Sequence, residues 1–239
     1  MNLAHVTNAQ KAQILVNALP YIQKYNNKTI VVKYGGNAMT DETLRESVMG
    51  DLVLLRLIGV NVVLVHGGGP HIQEILNKVG KESKFLNGLR VTDEETMKIV
   101  QMVLAGQVNK DLVNLIGMTG GKAVGLCGLD GQMIKVKKQS EELGLVGEIV
   151  SVDVSLIRDN LEKGYIPVIS TIGTDTHGRA YNINADTASA KIAGALHAEC
   201  MLSLTNIDGV LADAADPGSL IKTLTLAEAA QLQADGVIA

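Results

Sequence analysis

Lys33 stands in the apolar run Thr29-Ile30-Val31-Val32-Lys33-Tyr34, two residues before the pair Gly35-Gly36. A lysine among β-branched residues is costly to bury unless its charge is used. At the end of a strand it can act as a point charge toward a phosphoryl group in transfer; the plainer alternative is a lysine snorkelling at the sheet margin. A second apolar run, Val60–His66, ends in Gly67-Gly68-Gly69-Pro70. Glycine lets the backbone come close to an anion, and a helix that follows adds partial positive charge. One Gly-Gly pair alone reads as a tight turn, but two such turns in succession favour anion binding. Arg90, in Asn87-Gly88-Leu89-Arg90-Val91-Thr92, has the planar fork that suits a carboxylate, although a lone loop arginine is commonly plain surface. Asn182-Ile183-Asn184-Ala185-Asp186 sets three short polar side chains at alternate positions beside a helix start. One of them can cap the helix; the excess leaves Asp186 to orient a lysine or to bear on a metal-bound phosphate.

Several other motifs fail. Gly120-Gly121-Lys122 resembles the end of a phosphate-binding P-loop, but Ala123 replaces the hydroxyl and the leading glycine is misplaced. No G-x-G-x-x-G occurs, which disfavours a dinucleotide-binding domain. His66-Gly67-Gly68-Gly69 would suit an esterase oxyanion loop only with a G-x-S-x-G elbow, and the chain has none. His5, His71, His177 and His197 show no metal-ligand spacing.

These residues need elements to hold them. Thr29–Tyr34 and Val60–His66 read as strands, residues 41–58 as a helix between them, and His71–Val79 as the next helix. Strand, glycine turn and helix thus recur in the rhythm that builds a parallel sheet, where ligands sit at the carboxyl ends of strands. Thr92 and Glu95 have the spacing of a capping box ahead of a helix through Val100, Val103 and Leu104 toward Ile116. Ala123–Gly128 and Met133–Lys137 read as a hairpin about Asp130-Gly131. Strands at Glu148–Val152 and Ile166–Ser170, a helix at Val154–Lys163, a small-residue helix at Asp186–His197 and a strand at Cys200–Leu204 follow. A helix at Leu226–Ala234 opens on a second capping box, Thr225 to Glu228. The polar segment 173–180 is the best lobe boundary. Ahead of the first strand, residues 10–25 form an amphipathic helix that Pro20 should kink.

Composition agrees. The chain has 239 residues, 46% hydrophobic and 19% charged, with a net charge of −4. That suits one large α/β domain or two closely packed lobes and excludes intrinsic disorder. No Trp and one Phe are present, so the core is aliphatic, as in parallel sheets under helices. A mildly acidic chain without a Lys/Arg stripe lacks the footprint of a nucleic-acid binder. Two distant cysteines, no signal-like start and no apolar run near the ~20 residues of a membrane span lead to the expectation of a soluble, cytoplasmic protein.

Taken in order, Val31-Val32-Lys33-Tyr34-Gly35-Gly36-Asn37-Ala38-Met39, His66-Gly67-Gly68-Gly69-Pro70, Asn87 to Thr92, Asn182 to Asp186 and Leu204-Thr205-Asn206-Ile207-Asp208-Gly209-Val210 resemble the amino acid kinase family over nearly the whole chain. The Gly-Gly turns are shared with carbamate, aspartate and UMP kinases; the segments around Arg90 and Asn182 are similar to the branch that phosphorylates N-acetyl-L-glutamate. The resemblance implies an αβα sandwich about a mainly parallel sheet and transfer from ATP, with Mg²⁺, to the γ-carboxylate of N-acetyl-L-glutamate in arginine biosynthesis. Lys33 would stabilise the phosphoryl group in transfer, and Asp186 would organise the catalytic lysines. Gly35, Gly36, Asn206, Asp208, Gly209 and Leu211 would bind the nucleotide. Gly68 and Gly69 would take the γ-carboxylate, Arg90 the α-carboxylate, and Asn182 with Asn184 the rest of the acceptor. It further implies a kinked helix over residues 1–28 that links dimers into a hexamer, a substrate lobe over 29–178 and a nucleotide lobe over 179–239. L-arginine is implied as a feedback inhibitor near Tyr21 or Tyr25, and a PII-type signalling protein as a partner. In the family a Gly-Gly-Met and a second lysine follow, so a chain ending at Ala239 is expected to be incomplete. The alternatives are another carboxylate or carbamate kinase of the same fold, or a ligand-binding fragment without catalysis.

Overall fold

The structure, a computed structural model, describes residues 6–205, 209–213 and 215–238. They form two compact units that divide between Leu204 and Thr205.

In the first unit, five strands form a parallel sheet. They are β1 (Thr29–Tyr34), β2 (Asn61–His66), β5 (Ala123–Cys127), β8 (Ile166–Ser170) and β11 (Cys200–Leu204), in the order β11-β1-β2-β8-β5. Every residue of β8 is buried, as are five of the six in β2. Successive side chains point to opposite faces, so the inner strands β1, β2 and β8 are covered on both sides and are rich in Val, Ile and Leu, whereas the edge strand β11 is largely exposed. Helices α2 (Glu42–Leu57) and α5 (Asn109–Met118) pack together and against the sheet, which α6 (Ser155–Glu162) and α7 (Ala185–Leu196) also contact. The register Tyr34↔His66 brings the ends of β1 and β2, and both glycine turns, to the same edge.

A second sheet runs in the order β10-β9-β6-β7, from β6 (Ile134–Lys138), β7 (Gly147–Val152), β9 (Ile172–Thr174) and β10 (Ala180–Asn182). This corrects the hairpin expected about Asp130-Gly131. β5 joins the parallel sheet and β6 the other one, with a short 3₁₀ turn at Asp130–Gln132 between them. Asp130 is occupied in that turn, its Oδ2 accepting from Cys127 N at 2.7 Å. The segment 173–180 is the β9–β10 turn, where Asp175 Oδ1 accepts from the amides of His177 and Arg179.

The capping box expected at Thr92 is also replaced. Asp93 is the N-cap of α4 (Glu94–Gln101), taking the Thr96 amide, while the Thr92 hydroxyl donates to Arg90 O at 2.8 Å. Beyond α4 the helix does not stay α. Met102–Val108 forms a π-helical stretch, in which the Asn109 amide donates five residues back to Leu104 O, before α5 begins. Helix α1 (Asn8–Tyr25) continues through Pro20 and starts on a capping box from Thr7 and Gln10. It buries no residue, and Ile14, Leu15 and Leu19 are exposed in the single chain.

The second unit contains a Leu211↔Leu220 bridge, a turn at Pro217–Ser219 and α8 (Leu226–Ala234), with the Thr225–Glu228 capping box in place. Gly209 and Leu211 lie here; Asn206 and Asp208 fall outside the described residues.

Candidate active site

The edge where β2 ends opens into a cleft of about 160 Å³. One wall is Gly67, Gly68 and Gly69, leading into α3 (Gly69–Lys78), whose first turn carries Pro70. The proline costs nothing there because its missing N–H falls among the amides that a helix leaves unpaired, and the remaining amides keep their partial positive charge. Gly68 packs closely against the π-helical stretch: a Cβ would stand 2.5 Å from Leu104 Cδ2, so that buried side chain would have to shift. Asn182 at the end of β10, with Asn184 and Ala185 at the start of α7, also line it.

Arg90 also lines the cleft, at the end of β4 (Leu89–Arg90), which pairs with β3 (Phe85–Leu86). It is 8% exposed. Its guanidinium donates to Gln73 Oε1 at 2.9 Å, to Gly69 O at 3.2 Å and to Ser83 Oγ, and lies 4.7 Å from the centre of the Phe85 ring. No carboxylate pairs with it among these contacts. Burial pulls its pKa below the ordinary arginine value, yet arginine retains its charge at neutral pH. The cleft therefore holds a fixed, partly desolvated cation beside a helix N-terminus, an arrangement that favours a bound carboxylate.

The Thr92 hydroxyl ties two parts of the site together. It accepts from Asn182 Nδ2 at 3.3 Å while donating to Arg90 O. The Thr92 backbone bonds in turn with Leu143 and Leu145, a crossing that requires Gly144. Gly144 has φ of +68°, and a Cβ there would lie 2.5 Å from Thr92 O. Gly144→Ala is expected to cost about 1–3 kcal/mol, from left-handed strain and overpacking together. Chemical denaturation that shows no loss would refute the crossing as a structural requirement.

Lys33 and Asp186 form a second cluster. The Lys33 ammonium lies 2.9 Å from Asp186 Oδ1, with the lysine side chain 12% exposed and the aspartate 63%. Gly35 sits beneath it: a Cβ there would be 3.5 Å from Lys33 Cε and 3.7 Å from Nζ. Among the described residues the lysine pairs with the Asp186 carboxylate alone, and its ammonium stands over the side-chain-free backbone of Gly35. Asn184 is the N-cap of α7, its Oδ1 accepting from the amides of Asp186 and Thr187, so the alternate-residue motif divides its labour as the sequence suggests.

His66, which the sequence places in a motif with no esterase partner, and Asn109, which no sequence motif singles out, are both buried behind the glycine turn. His66 Nδ1 lies 2.8 Å from Gly67 O, and Asn109 Nδ2 lies 3.1 Å from His66 Nε2 and 2.8 Å from Val168 O. Asn109, Leu112 and Ile116 share the buried face of α5. An asparagine at a core position of a helix was the available signal.

Residues 28–239 match the family model described as the amino acid kinase family. The chain belongs to that family. Membership of this kinase family implies ATP as the phosphoryl donor. Its relatives include the acetylglutamate kinase of Clostridium kluyveri, 54% identical over 229 residues that make up 95% of this chain and 81% of the relative. The acetylglutamate kinase of Clostridioides difficile (strain 630) is 55% identical over 232 residues, 97% of this chain and 81% of that one. Among solved structures, the N-acetylglutamate synthase from Neisseria gonorrhoeae complexed with coenzyme A and N-acetyl-glutamate aligns with a TM-score of 0.79 and 26% identity, covering 92% of this chain and 51% of that chain.

Proposed function

We propose that the chain is an acetylglutamate kinase, transferring a phosphoryl group from ATP to the γ-carboxylate of N-acetyl-L-glutamate. The observation that carries this reading is the cleft, where an arginine that pairs with no carboxylate among the described residues faces the glycine turn at the start of α3. It is sized and charged for a small dicarboxylate. The names of the two clostridial relatives and the ligand of the Neisseria protein support the same acceptor.

In this reading the Gly68 and Gly69 amides hold the γ-carboxylate, Arg90 the α-carboxylate, and Asn182 with Asn184 the acetamido side. Lys33 and the amides of Gly35 and Gly36 hold phosphate oxygens, and Asp186 fixes the lysine. The nucleotide is assigned to residues 179–239, including Asn206, Asp208, Gly209 and Leu211, and the acceptor to residues 29–178. Mg²⁺ accompanies ATP and neutralises phosphate charge; no cluster of three metal-ligating side chains occurs among the described residues, so the ion would be held largely by the nucleotide. No general base is required, because the attacking carboxylate is already ionised at neutral pH. Catalysis then rests on alignment and on charge placed in advance.

ADP release measured in parallel with N-acetyl-L-glutamate, glutamate, aspartate and carbamate tests the reading. Turnover greatest with any acceptor but the first would replace it with another kinase of this fold. Arg90→Lys is expected to raise the KM for N-acetyl-L-glutamate by about tenfold or more and to leave that for ATP unchanged, since a lysine cannot span Gln73, Ser83 and a carboxylate at once. A matching rise in the ATP KM would move Arg90 to the nucleotide side.

The exposed apolar residues of α1 support a further assignment to subunit contacts, with residues 1–28 joining dimers into a hexamer and L-arginine acting near Tyr21 or Tyr25. Removing residues 1–26 should then leave dimers by light scattering; hexamers after removal would end the assignment. A cytoplasmic location fits the finding that no described helix is long and apolar enough to cross a membrane.

A further inference from the structure

Gly67 is held at both ends of its backbone. Its amide donates to Tyr34 O at 3.0 Å, and its carbonyl meets His66 Nδ1 at 2.8 Å. A carbonyl can only accept, so Nδ1 carries the proton. The other ring nitrogen must then accept, and it faces Asn109 Nδ2 at 3.1 Å.

The orientation of the Asn109 amide is fixed independently of the histidine. Its nitrogen donates to Val168 O at 2.8 Å and lies farther from Leu126 O, at 3.4 Å, than from His66, and its oxygen accepts from Lys110 Nζ at 3.0 Å. Flipping the amide would set its nitrogen against the lysine ammonium and its oxygen against the Val168 carbonyl. Asn109 can therefore only donate to His66, which selects the neutral ring protonated at Nδ1. The π-helical stretch makes this possible. Residues five apart come onto one side through its i→i−5 bond, which sets Leu104 against Gly68 and Asn109 against His66.

The Gly67 carbonyl and the Gly68 amide belong to one planar trans peptide, so they point in opposite directions. Drawing the oxygen inward to His66 turns the Gly68 N–H outward, toward the cleft. We infer that His66, locked in its Nδ1–H form by Asn109, is a positioning residue that aims the Gly68 amide at the acceptor's carboxylate. The inference rests on the reading of the glycine turn as the γ-carboxylate site. It touches no reacting atom.

Asparagine and glutamine separate the two nitrogens, because an asparagine amide reaches the place of Nδ1 and a glutamine amide that of Nε2. His66→Gln is expected to raise the KM for N-acetyl-L-glutamate at least tenfold with the ATP KM within twofold, and His66→Asn should recover most of the loss. Equal damage in both variants, no change in the acceptor KM, or a parallel rise for ATP overturns the inference. If His66→Gln does not fold, Asn109→Ala takes its place, and there too only the acceptor KM should rise; a rise in both or neither overturns it. Nitrogen NMR of histidine-labelled wild-type protein at pH 7 should show His66 protonated at Nδ1; protonation at Nε2 refutes the lock without any assay. A wild-type chain that neither releases ADP with N-acetyl-L-glutamate nor binds it by calorimetry would defeat the acceptor reading instead. The aim of the turn is then judged from the Gly68 amide resonance, displaced in His66→Gln and restored in His66→Asn if the inference holds; an undisplaced resonance overturns it.

Discussion

Replacing Lys33 by alanine should lower kcat by roughly 10²–10³-fold, the cost of removing one preorganised charge from a transition state. The fold should survive. Asp186 already reaches solvent and would lose a partner without being buried uncompensated. The vacated space adjoins Gly35 rather than the apolar core. Both KM values should move little, since the charge is assigned to the phosphoryl group in transfer and not to either ground state. Steady-state ADP release decides it, and near-normal kcat would remove Lys33 from the mechanism. Lys33→Arg is a useful companion, because it keeps the charge but not its compact shape.

The second large effect is on stability in acid. Burial holds the His66 pKa down at about 4, with His71 and Lys110 adding to the shift. The unfolded chain takes up a proton below about pH 6.5, whereas the native ring resists until pH 4, so stability is full above pH 6.5 and is lost as the pH falls toward 4. The shift corresponds to about 3 kcal/mol over that window, of which about 2 kcal/mol should be gone by pH 5. Asp93, held down at about 2 by Lys81 and the Thr96 amide, loses its contribution only at lower pH. Urea unfolding at pH 7, 6 and 5 should show a steeper decline for the wild type than for His66→Asn. Parallel declines would show that the ring is not kept neutral by the fold.

The strands were legible because burial on both faces leaves an unmistakable run of Val, Ile and Leu, and the glycine turns follow them directly. Lys33, Arg90 and Asp186 stand out in the sequence as charged side chains at a strand end, ahead of a helix and at a helix start, although each also admits a plainer use as a snorkelling lysine, a surface arginine or a helix cap. The failures have physical causes. Asp130-Gly131 has the chemistry of a tight turn, but turn chemistry does not say whether the flanking strands pair with each other or with strands far along the chain. Thr92 has the spacing of a cap, but its hydroxyl has a better acceptor in Arg90 O and Asp93 takes the role. The π-helical stretch escapes a search for the 3.6-residue period, since it departs from that period, and with it went Asn109 and the use made of His66.

That stretch bears on how the chain tolerates changes in length. A π turn closes its hydrogen bond over one residue more than an α turn, so it can store a single extra residue while the α-helical segments on either side keep their phase. Deleting one residue between Leu104 and Asn109 would let the helix close up into regular α geometry without rotating Leu112 or Ile116 out of the core. What would be lost is the stacking of position 104 over position 109. Such a deletion should be far milder for folding than one within β1 or β2, where every later side chain would change face. A single-residue deletion in this stretch would therefore act on the glycine turn while sparing the scaffold around it.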